Sequence, residues 1–314
     1  HFFDALGANS LLMAQFSSRL RETTGSAGIS MRDIYLFPTV RQLAAHVAAE
    51  TIAPPNPAAA EPVAALRAPA RQYYLCGAAQ LAWILGYAAS LVYVGVTALG
   101  WTLDATGFSE IYLRGLAAGA GFLLLLVGLP VLLKWLLVGR WTARKFPIWG
   151  FAYFRFWLVK SLLRANPMVL LAGSPLYLVY LRALGMKIGR NVVIASASVP
   201  VCTDLVTVGD NTIIHKEVRF SGYRARAGAI ETGPIAIGAR AFVAEASVLD
   251  IDTVMGNDTQ LGMTSSLQRG QRVPDGQRYQ GSPAQETTVN YNSLPPLPVS
   301  GFRRVLFSLL QLVV

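Results

Sequence analysis

A run of six-residue units begins at Ile237-Gly238-Ala239-Arg240-Ala241-Phe242-Val243 and continues to residue 273. Every sixth residue of the run is aliphatic: Ile237, Val243, Leu249, Met255, Leu261, Leu267 and Val273. A small residue stands four positions after each of the first five: Ala241, Ser247, Thr253, Thr259 and Ser265. A period of six matches neither an α-helix nor a simple strand. It is typical of a coil of short parallel strands, three units to a triangular turn, with the aliphatic residue inside.

The same period continues upstream with interruptions. It is present at residues 188–194 and again at 208–214, with a slip between them. Between residues 220 and 235 it is lost, and we interpret this stretch as a loop that leaves the coil. Loops on a rigid scaffold are common places for function, and an insertion without a function is the alternative. Two basic residues of this loop, Arg224 and Arg226, are candidates for binding a substrate.

Residues 185–285 resemble the left-handed parallel β-helix of the hexapeptide acyltransferases, and the six-residue period carries this resemblance. Members of that family move an acyl group from a thioester to an amine or a hydroxyl, with a His as general base. Of the three histidines in the chain, only His215 lies in this region. The resemblance therefore implies His215 as the catalytic base, oriented by Glu217 or Asp210. A structural His on a strand is the alternative.

Ser10 stands at a predicted helix start, in the stretch Phe2-Phe3-Asp4-Ala5-Leu6-Gly7-Ala8-Asn9-Ser10-Leu11-Leu12. Gly7 and Asn9 break a helix on its N-terminal side, and the apolar residues that follow lie on one helical face. The positive end of the helix dipole at this position suits a covalently attached phosphodiester. A plain N-cap serine is the alternative.

Residues 1–50 resemble the carrier proteins that bear phosphopantetheine, whose attachment motif has Leu-Gly-x-x-Ser-Leu at its core. Residues 33–40 match the approach to the last carrier helix, while Asn9 stands where the family often has Asp or His. The resemblance implies Ser10 as the attachment site of 4'-phosphopantetheine and a phosphopantetheinyl transferase as a partner. Since the chain has neither an initiator Met nor room for a first carrier helix, we expect it to be a fragment of a longer protein.

Composition points to a membrane. The 314 residues are 53% hydrophobic and only 14% charged, which is too apolar for an ordinary soluble protein. The net charge of +10 fits either nucleic acid or membrane lipid, and the clustering of Lys and Arg beside long apolar segments favours lipid and no nucleic acid. Cys76 and Cys202 lie far apart without a CxxC motif, so we predict neither a disulfide framework nor a metal site.

Two uncharged runs, residues 72–103 and 115–133, each exceed the ~18 apolar residues of a membrane-spanning helix. Basic residues flank the outer ends of the pair, and few lie between the two runs. The positive-inside rule therefore predicts a transmembrane helical hairpin over residues 72–144 with both ends in the cytoplasm. We expect an inner-membrane protein with the carrier and the coil on the cytoplasmic side.

The remaining segments connect these parts. Residues 51–71 are rich in Pro and Ala and form a semi-rigid linker. Residues 145–184 interleave aromatic and basic side chains, which predicts helices at the membrane interface with the basic groups on anionic lipid. Residues 286–304 are a second linker, and residues 305–314 begin a further transmembrane helix. The fold class is therefore multidomain: a partial α-helical carrier bundle, a transmembrane hairpin and a left-handed parallel β-helix.

The order of these segments along the chain resembles the terminal region of a class of non-ribosomal peptide synthetases that includes the ε-poly-lysine synthetases. The resemblance implies an upstream adenylation domain, downstream repeated membrane units that can pack as an intrachain pseudo-trimer, and amide formation from a carrier-bound aminoacyl or acyl thioester. The HHxxxDG motif of standard condensation domains is absent from the sequence. Three alternatives stay open: a coenzyme A-dependent hexapeptide acetyltransferase, a non-catalytic scaffold that docks the carrier at the membrane, and a transport path.

Overall fold

The computed structural model describes Leu12, Phe16 and residues 36–52, 68–292 and 300–310. The chain divides into two compact units, His1–Ala64 and Ala65–Val314, which we describe separately. Ser10 lies outside the described residues. The helices of the described part are α1 Val40–Ile52, α2 Ala70–Leu103, α3 Phe108–Leu137, α4 Phe151–Arg164, α5 Pro175–Ala183 and α6 Gly301–Leu310.

In the first unit, α1 begins after Pro38, as the predicted approach to the last carrier helix requires. The backbone N–H of Gln42 donates to Thr39 Oγ1 at 3.3 Å, which caps the helix N-terminus. Leu43 is a buried residue of this helix.

The two uncharged runs lie within two long helices, α2 and α3, which a short connection at residues 104–107 joins. At 1.5 Å per residue they are about 50 and 45 Å long, well over the ~30 Å hydrocarbon core of a bilayer. Both are long and apolar enough to cross a membrane, and only three of their residues are buried in the isolated chain: Cys76, Pro130 and Lys134. Residues 311–314, the last part of the predicted span at 305–314, lie outside the described residues.

The described residues also form seventeen short strands, most of them in the coil. They are β1 Arg144–Pro147, β2 Lys187–Ile188, β3 Val193–Ile194, β4 Val206–Val208, β5 Ile213–Ile214, β6 Arg219–Phe220, β7 Tyr223–Arg226, β8 Ala229–Thr232, β9 Ile235–Ile237, β10 Phe242–Val243, β11 Val248–Leu249, β12 Thr253–Met255, β13 Gln260–Leu261, β14 Ser266–Leu267, β15 Arg272–Val273, β16 Arg278–Gly281 and β17 Ala284–Glu286. Three sheets of parallel strands form its faces: β2-β4-β9-β12-β15, β3-β5-β10-β13-β16 and β6-β11-β14, with β17 antiparallel at the end of the second.

The register shows how many residues each turn of the coil uses. Val193 pairs with Ile213, 20 positions later, and Ile213 pairs with Phe242, 29 positions later. From there the spacing is constant, since Phe242 pairs with Gln260, 18 positions later. Three six-residue units therefore make one turn, as predicted, and the first two turns contain additional residues.

The predicted inward residues form the core of the coil. Val243, Leu249, Leu261 and Leu267 are 0% exposed, and the other three aliphatic residues of the period are no more than 2% exposed. The small residues between them are buried as well, and their hydroxyls bond to backbone: Ser247 Oγ donates to the Gly262 carbonyl at 2.8 Å. The six-residue period predicted from the sequence is thus confirmed as a pattern of burial.

The corners of the coil repeat with the same spacing. A residue with positive φ recurs every six positions, at Arg240, Ala246, Asp252, Asp258, Thr264, Gly270 and Gly276. Such left-handed residues let the chain turn sharply from one face to the next, at a cost for side chains other than Gly. A Cβ on Gly238 would lie 2.5 Å from the Gly256 carbonyl, so this corner has room for Gly alone.

The predicted loop between residues 220 and 235 is instead a β-hairpin, and this corrects the sequence interpretation. β7 and β8 pair antiparallel through a turn at Ala227 and Gly228, both with positive φ. β1, which precedes α4, adds to the other edge of β8. The Thr232 hydroxyl donates to the carbonyl of Thr142 at 2.9 Å, which fixes this third strand. The hairpin is ordered because it gains a strand from a segment more than 80 residues away.

α4 contains the interleaved aromatic and basic residues of the predicted interfacial segment. One of its faces is buried, with Phe156, Val159 and Leu163 in the same core as the coil. The Phe156 ring contacts the rings of Trp141 and Tyr223 edge-on. The position of this helix relative to a membrane stays a prediction, but its apolar face packs on protein.

A buried ion pair joins α3 to the coil. Lys134 Nζ lies 2.8 Å from Asp204 Oδ2, and the two side chains are 0% and 11% exposed. The same carboxylate accepts from the backbone N–H of Trp141 at 3.0 Å. Nearby, Trp135 Nε1 donates to the Ala183 carbonyl at 2.8 Å. The last turns of the second apolar helix are therefore fixed to the start of the coil.

Candidate functional site

His215 follows β5 and lies on the outside of the coil, with its side chain 39% exposed. Its Nδ1 lies 3.8 Å from Glu245 Oε1, and its ring packs edge-on against Phe242 at 5.0 Å between centroids. The same Glu245 oxygen lies 3.6 Å from Lys216 Nζ. The nearest carboxylate is therefore Glu245, one turn further along the coil, and not the predicted Asp210 or Glu217.

Asp210 and Glu217 have other positions. Asp210 Oδ1 accepts from the backbone N–H of Arg190 at 2.7 Å, which is a contact between corners of successive turns. Glu217 lies at a corner with φ of 60° and lines a cleft on the third face. Neither carboxylate forms an ion pair with His215 among the described residues.

Arg224 and Arg226 lie on β7 of the hairpin, and both are exposed. Arg224 Nε is 3.5 Å from Asp250 Oδ2, so this guanidinium has a carboxylate partner. Neither side chain lines the cleft described next. The two predicted substrate-binding residues thus lie two positions apart on one strand, and neither is among the residues that line the cleft, although their neighbour Tyr223 is.

A cleft of about 820 Å³ opens between α4 and the third face of the coil. It exists because this face has no strand in the first turn: residues 195–202 cross it in irregular conformation, before β6 begins the sheet. The lining side chains come from segments far apart in sequence, namely Lys160, Leu163, Arg164, Val169, Ala197, Ser198, Val199, Val201, Glu217, Arg219, Phe220, Ser221, Tyr223, Ala246 and Val248.

The charged groups of the cleft are mainly cationic. Lys160 Nζ donates to the Tyr223 hydroxyl at 2.6 Å. Arg164, Arg219 and Glu217 make no ion pair or side-chain hydrogen bond with the part of the chain that the structure describes. From the sequence, Glu217 was predicted only as a partner of His215, and Lys160 and Arg164 only as basic groups of the interfacial segment at 145–184. The available signal was the spacing of Lys160 and Arg164, four positions apart on one face of a helix.

Two other chemistries find no support in the described residues. Cys202 is fully buried, and this burial raises the pKa of its thiol to about 12, so it stays protonated and inaccessible as a nucleophile. Among residues 36–52, 68–292 and 300–310, no three His, Cys, Asp or Glu side chains lie together as metal ligands would.

Comparison with known families identifies the N-terminal part. Residues 1–47 match the family described as phosphopantetheine attachment site. The chain begins with a phosphopantetheine carrier domain. The predicted cofactor, 4'-phosphopantetheine, is thereby confirmed, while the carrier serine lies outside the described residues.

Most of the chain also matches a named relative. It is 31% identical over 300 residues to the delta-poly-L-ornithine synthetase of Acinetobacter baumannii (strain AB307-0294). The match covers 91% of this chain and 22% of the synthetase, so the chain spans about a fifth of that protein's length. The match extends from the carrier domain through most of the chain and confirms the predicted resemblance to synthetases of poly-amino acids.

Solved structures similar to this chain include two acetyltransferases. A galactoside acetyltransferase in complex with coenzyme A is 12% identical, with a TM-score of 0.36, and the match covers 51% of this chain and 95% of that one. A hexapeptide-repeat acetyltransferase from Vibrio cholerae O1 biovar eltor, complexed with acetyl coenzyme A, is 14% identical with a TM-score of 0.32, over 41% of this chain and 87% of that one.

Proposed function

We propose that this chain is part of a non-ribosomal peptide synthetase in which the carrier domain delivers an acyl or aminoacyl group to the coil for amide formation. One observation carries the proposal: a phosphopantetheine carrier domain and a parallel coil occur in the same chain. Of this chain, 91% matches a poly-amino-acid synthetase. An upstream adenylation domain and further membrane units belong to the same proposal. A phosphopantetheinyl transferase would load the carrier.

Ser10 is the proposed attachment residue, and the attached arm supplies a thiol that holds the acyl group as a thioester. His215 would act on the acceptor amine, whose nitrogen attacks the thioester carbonyl. The C–N bond forms, the C–S bond breaks, and the arm leaves as its thiol, protonated by the His215 imidazolium. The Glu245 carboxylate faces Nδ1 and favours a proton on that nitrogen, which leaves Nε2 free to accept the proton of the attacking amine. The Nδ1–Oε1 separation of 3.8 Å allows Glu245 to stabilise the imidazolium that forms. Arg224 and Arg226, on the exposed hairpin, are proposed to hold the acceptor.

The architecture around this site is also part of the proposal. We assign α2 and α3 to a transmembrane hairpin with cytoplasmic ends, the coil to a left-handed β-helix at residues 185–285, and residues 51–71 to the linker that gives the carrier its reach. The length and exposure of the two apolar helices support the hairpin. The buried pair of Lys134 and Asp204 supports a coil fixed close to the membrane surface.

The test uses the whole chain in lipid nanodiscs. A phosphopantetheinyl transferase loads it from aminoacyl coenzyme A, and L-ornithine is offered as acceptor because the relative is named for its polymer. Mass spectrometry then follows the loaded carrier and the amide product. Ser10→Ala should abolish loading, and His215→Ala should load normally while amide formation slows about 100-fold or more.

Other outcomes contradict parts of this proposal. Amide formed by Ser10→Ala from acetyl coenzyme A would indicate a coenzyme A-dependent acetyltransferase in place of carrier delivery. Normal product from His215→Ala, together with loss of product when residues 72–144 are deleted, would indicate a scaffold that docks the carrier at the membrane.

A further inference from the structure

The cleft between α4 and the coil combines two features of a ligand site. Its walls include apolar side chains, among them Leu163, Val199 and Val248, which suit the carbon chain of a ligand. Three cationic groups and one carboxylate line the same space, so the cleft has a net positive charge. At about 820 Å³ it lies within the usual size range of small-molecule sites.

The cationic groups of the cleft have no carboxylate partner among the described residues, as is also true of Arg226 and Arg272, whereas several other arginines of the coil have one. Arg240 pairs with Asp258, and Arg269 lies within 3.3 Å of both Glu231 and Asp252. Arg164 and Arg219, by contrast, have no such partner in the described part of the chain. Arg164 at the end of α4 and Arg219 on β6 thus contribute two unpaired guanidinium groups to the lining of one cleft, which favours an anionic ligand.

A third donor lies beside these two. Lys160 uses one N–H for the Tyr223 hydroxyl at 2.6 Å, and an ammonium has three N–H donors in all. Two donors therefore stay available to a ligand. Guanidinium groups bind phosphate oxygens through paired N–H donors, and a lysine adds a point charge.

We propose that this cleft binds a phosphodiester group, with Arg164, Arg219 and Lys160 as its ligands and the apolar wall along the chain attached to it. Two sources share this chemistry: the phosphopantetheine arm of the carrier domain and the headgroup of an anionic phospholipid. Binding of the phosphopantetheine arm rests on the proposed function, whereas binding of a phospholipid headgroup does not. Glu217, the carboxylate of the cleft, opposes the anion and lowers its affinity.

Calorimetric titration of the full-length Ser10→Ala protein in detergent tests this, because the substitution keeps the protein's own arm out of the cleft. The probes are 4'-phosphopantetheine esterified to N-acetylserine amide, so that its phosphate is a diester as on the carrier, pantetheine without phosphate, and glycerophosphoglycerol as the soluble headgroup of phosphatidylglycerol. We expect at least one phosphate-bearing probe to bind, and pantetheine to bind about tenfold more weakly than the 4'-phosphopantetheine diester if the arm is the source. Tighter binding of glycerophosphoglycerol than of the 4'-phosphopantetheine diester would assign the cleft to lipid.

Variants of the cleft test whether the phosphate binds at this site or through the positive charge of the protein surface in general. Arg164→Ala combined with Arg219→Ala should weaken the phosphate-bearing probe tenfold or more, and the matched control Arg272→Ala, an exposed arginine of β15, should leave affinity unchanged. Glu217→Gln should strengthen binding several-fold, a gain that misfolding cannot produce. Replacement of both arginines by Lys should retain part of the affinity.

The proposal is overturned if neither phosphate-bearing probe binds, or if the double variant and Arg272→Ala bind equally well. Since Ser10→Ala has no attached arm, this titration does not depend on acyl transfer. Failure of transfer with retained binding would refute the proposed function alone. Retained transfer without phosphate binding would refute only the proposal that the cleft binds a phosphodiester.

Discussion

The turns of the coil between residues 187 and 234 differ from those between 235 and 273 in how closely they keep the period. The later, regular turns repeat every 18 residues, while the earlier, interrupted turns use 20 and 29. His215, Glu217 and Arg219 all belong to the interrupted turns, and so do the hairpin and the open third face. A strict repeat produces a closed core and an even surface, whereas extra residues produce concave surfaces and exposed functional groups.

The largest effect should come from His215 of the interrupted turns. His215→Ala removes the proposed base and should slow amide formation 10²- to 10⁴-fold, while Gln268→Ala, an exposed substitution in the regular turns, should have no effect. Single-turnover measurement of the loaded carrier gives the rate. Equal rates of amide formation in the two variants would show that the interrupted and the regular turns do not differ in function.

The buried ion pair at the start of the interrupted turns should dominate their stability. Lys134→Ala leaves Asp204 as a mostly buried charge without a cation, and we expect the free energy of unfolding to fall by about 3–5 kcal/mol. Denaturant unfolding in detergent, followed by tryptophan fluorescence, measures the change. The control is Arg240→Ala, which removes an exposed pair in the regular turns and should change little. A small loss in both variants would mean that α3 is not fixed to the coil by this pair.

Core substitutions should distinguish the closed turns from the cleft. Leu261→Ala opens a cavity in the fully buried core of the regular turns and should cost about 3 kcal/mol of unfolding free energy. Val199→Ala, in the half-buried wall of the cleft, should cost about 1 kcal/mol because part of that side chain is already in contact with solvent. Thermal unfolding compares the two, and equal losses would contradict an open third face.

The smallest effect concerns the turn of the hairpin. Ala227 has φ of 48° and precedes Gly228 with φ of 75°, a pair of positions that favours Asn-Gly. Ala227→Asn should therefore stabilise the protein by about 1 kcal/mol. Ala225→Asn, exposed on β7 in extended conformation, is the matched control and should bring no gain. A gain at Ala225 of the same size would show that the turn conformation is not the cause.

Much of the fold could be predicted because it depends on the type and spacing of residues along the chain. The seven aliphatic residues of the period are buried, and the two uncharged runs fall inside long exposed helices. The hairpin was missed because its strands are short and polar and gain order from β1, which no local pattern indicates. The carrier motif was found because its residues are contiguous.

The site was less accessible to prediction. His215 was selected as the one histidine of the coil, but its carboxylate neighbour was not found because Glu245 lies 30 positions later. The second turn of the coil contains 29 residues, and this length places Glu245 beside His215. The length of the turn depends on how the β-hairpin leaves the coil. Lys160 and Arg164 were predicted to contact lipid because the sequence shows that they share a basic and aromatic segment, and not that this segment packs beside Arg219 and Glu217 of the coil.

The linear sequence therefore specified the carrier domain, the apolar helices and the inward face of the coil. In each case the information is a spacing along the chain, since burial in a repeat and length in a bilayer depend on successive residues. The partner of His215, the third strand beside the hairpin and the cationic cleft came from tertiary packing. Each joins segments separated by tens of residues, and their proximity depends on turn lengths and helix packing that no local pattern specifies.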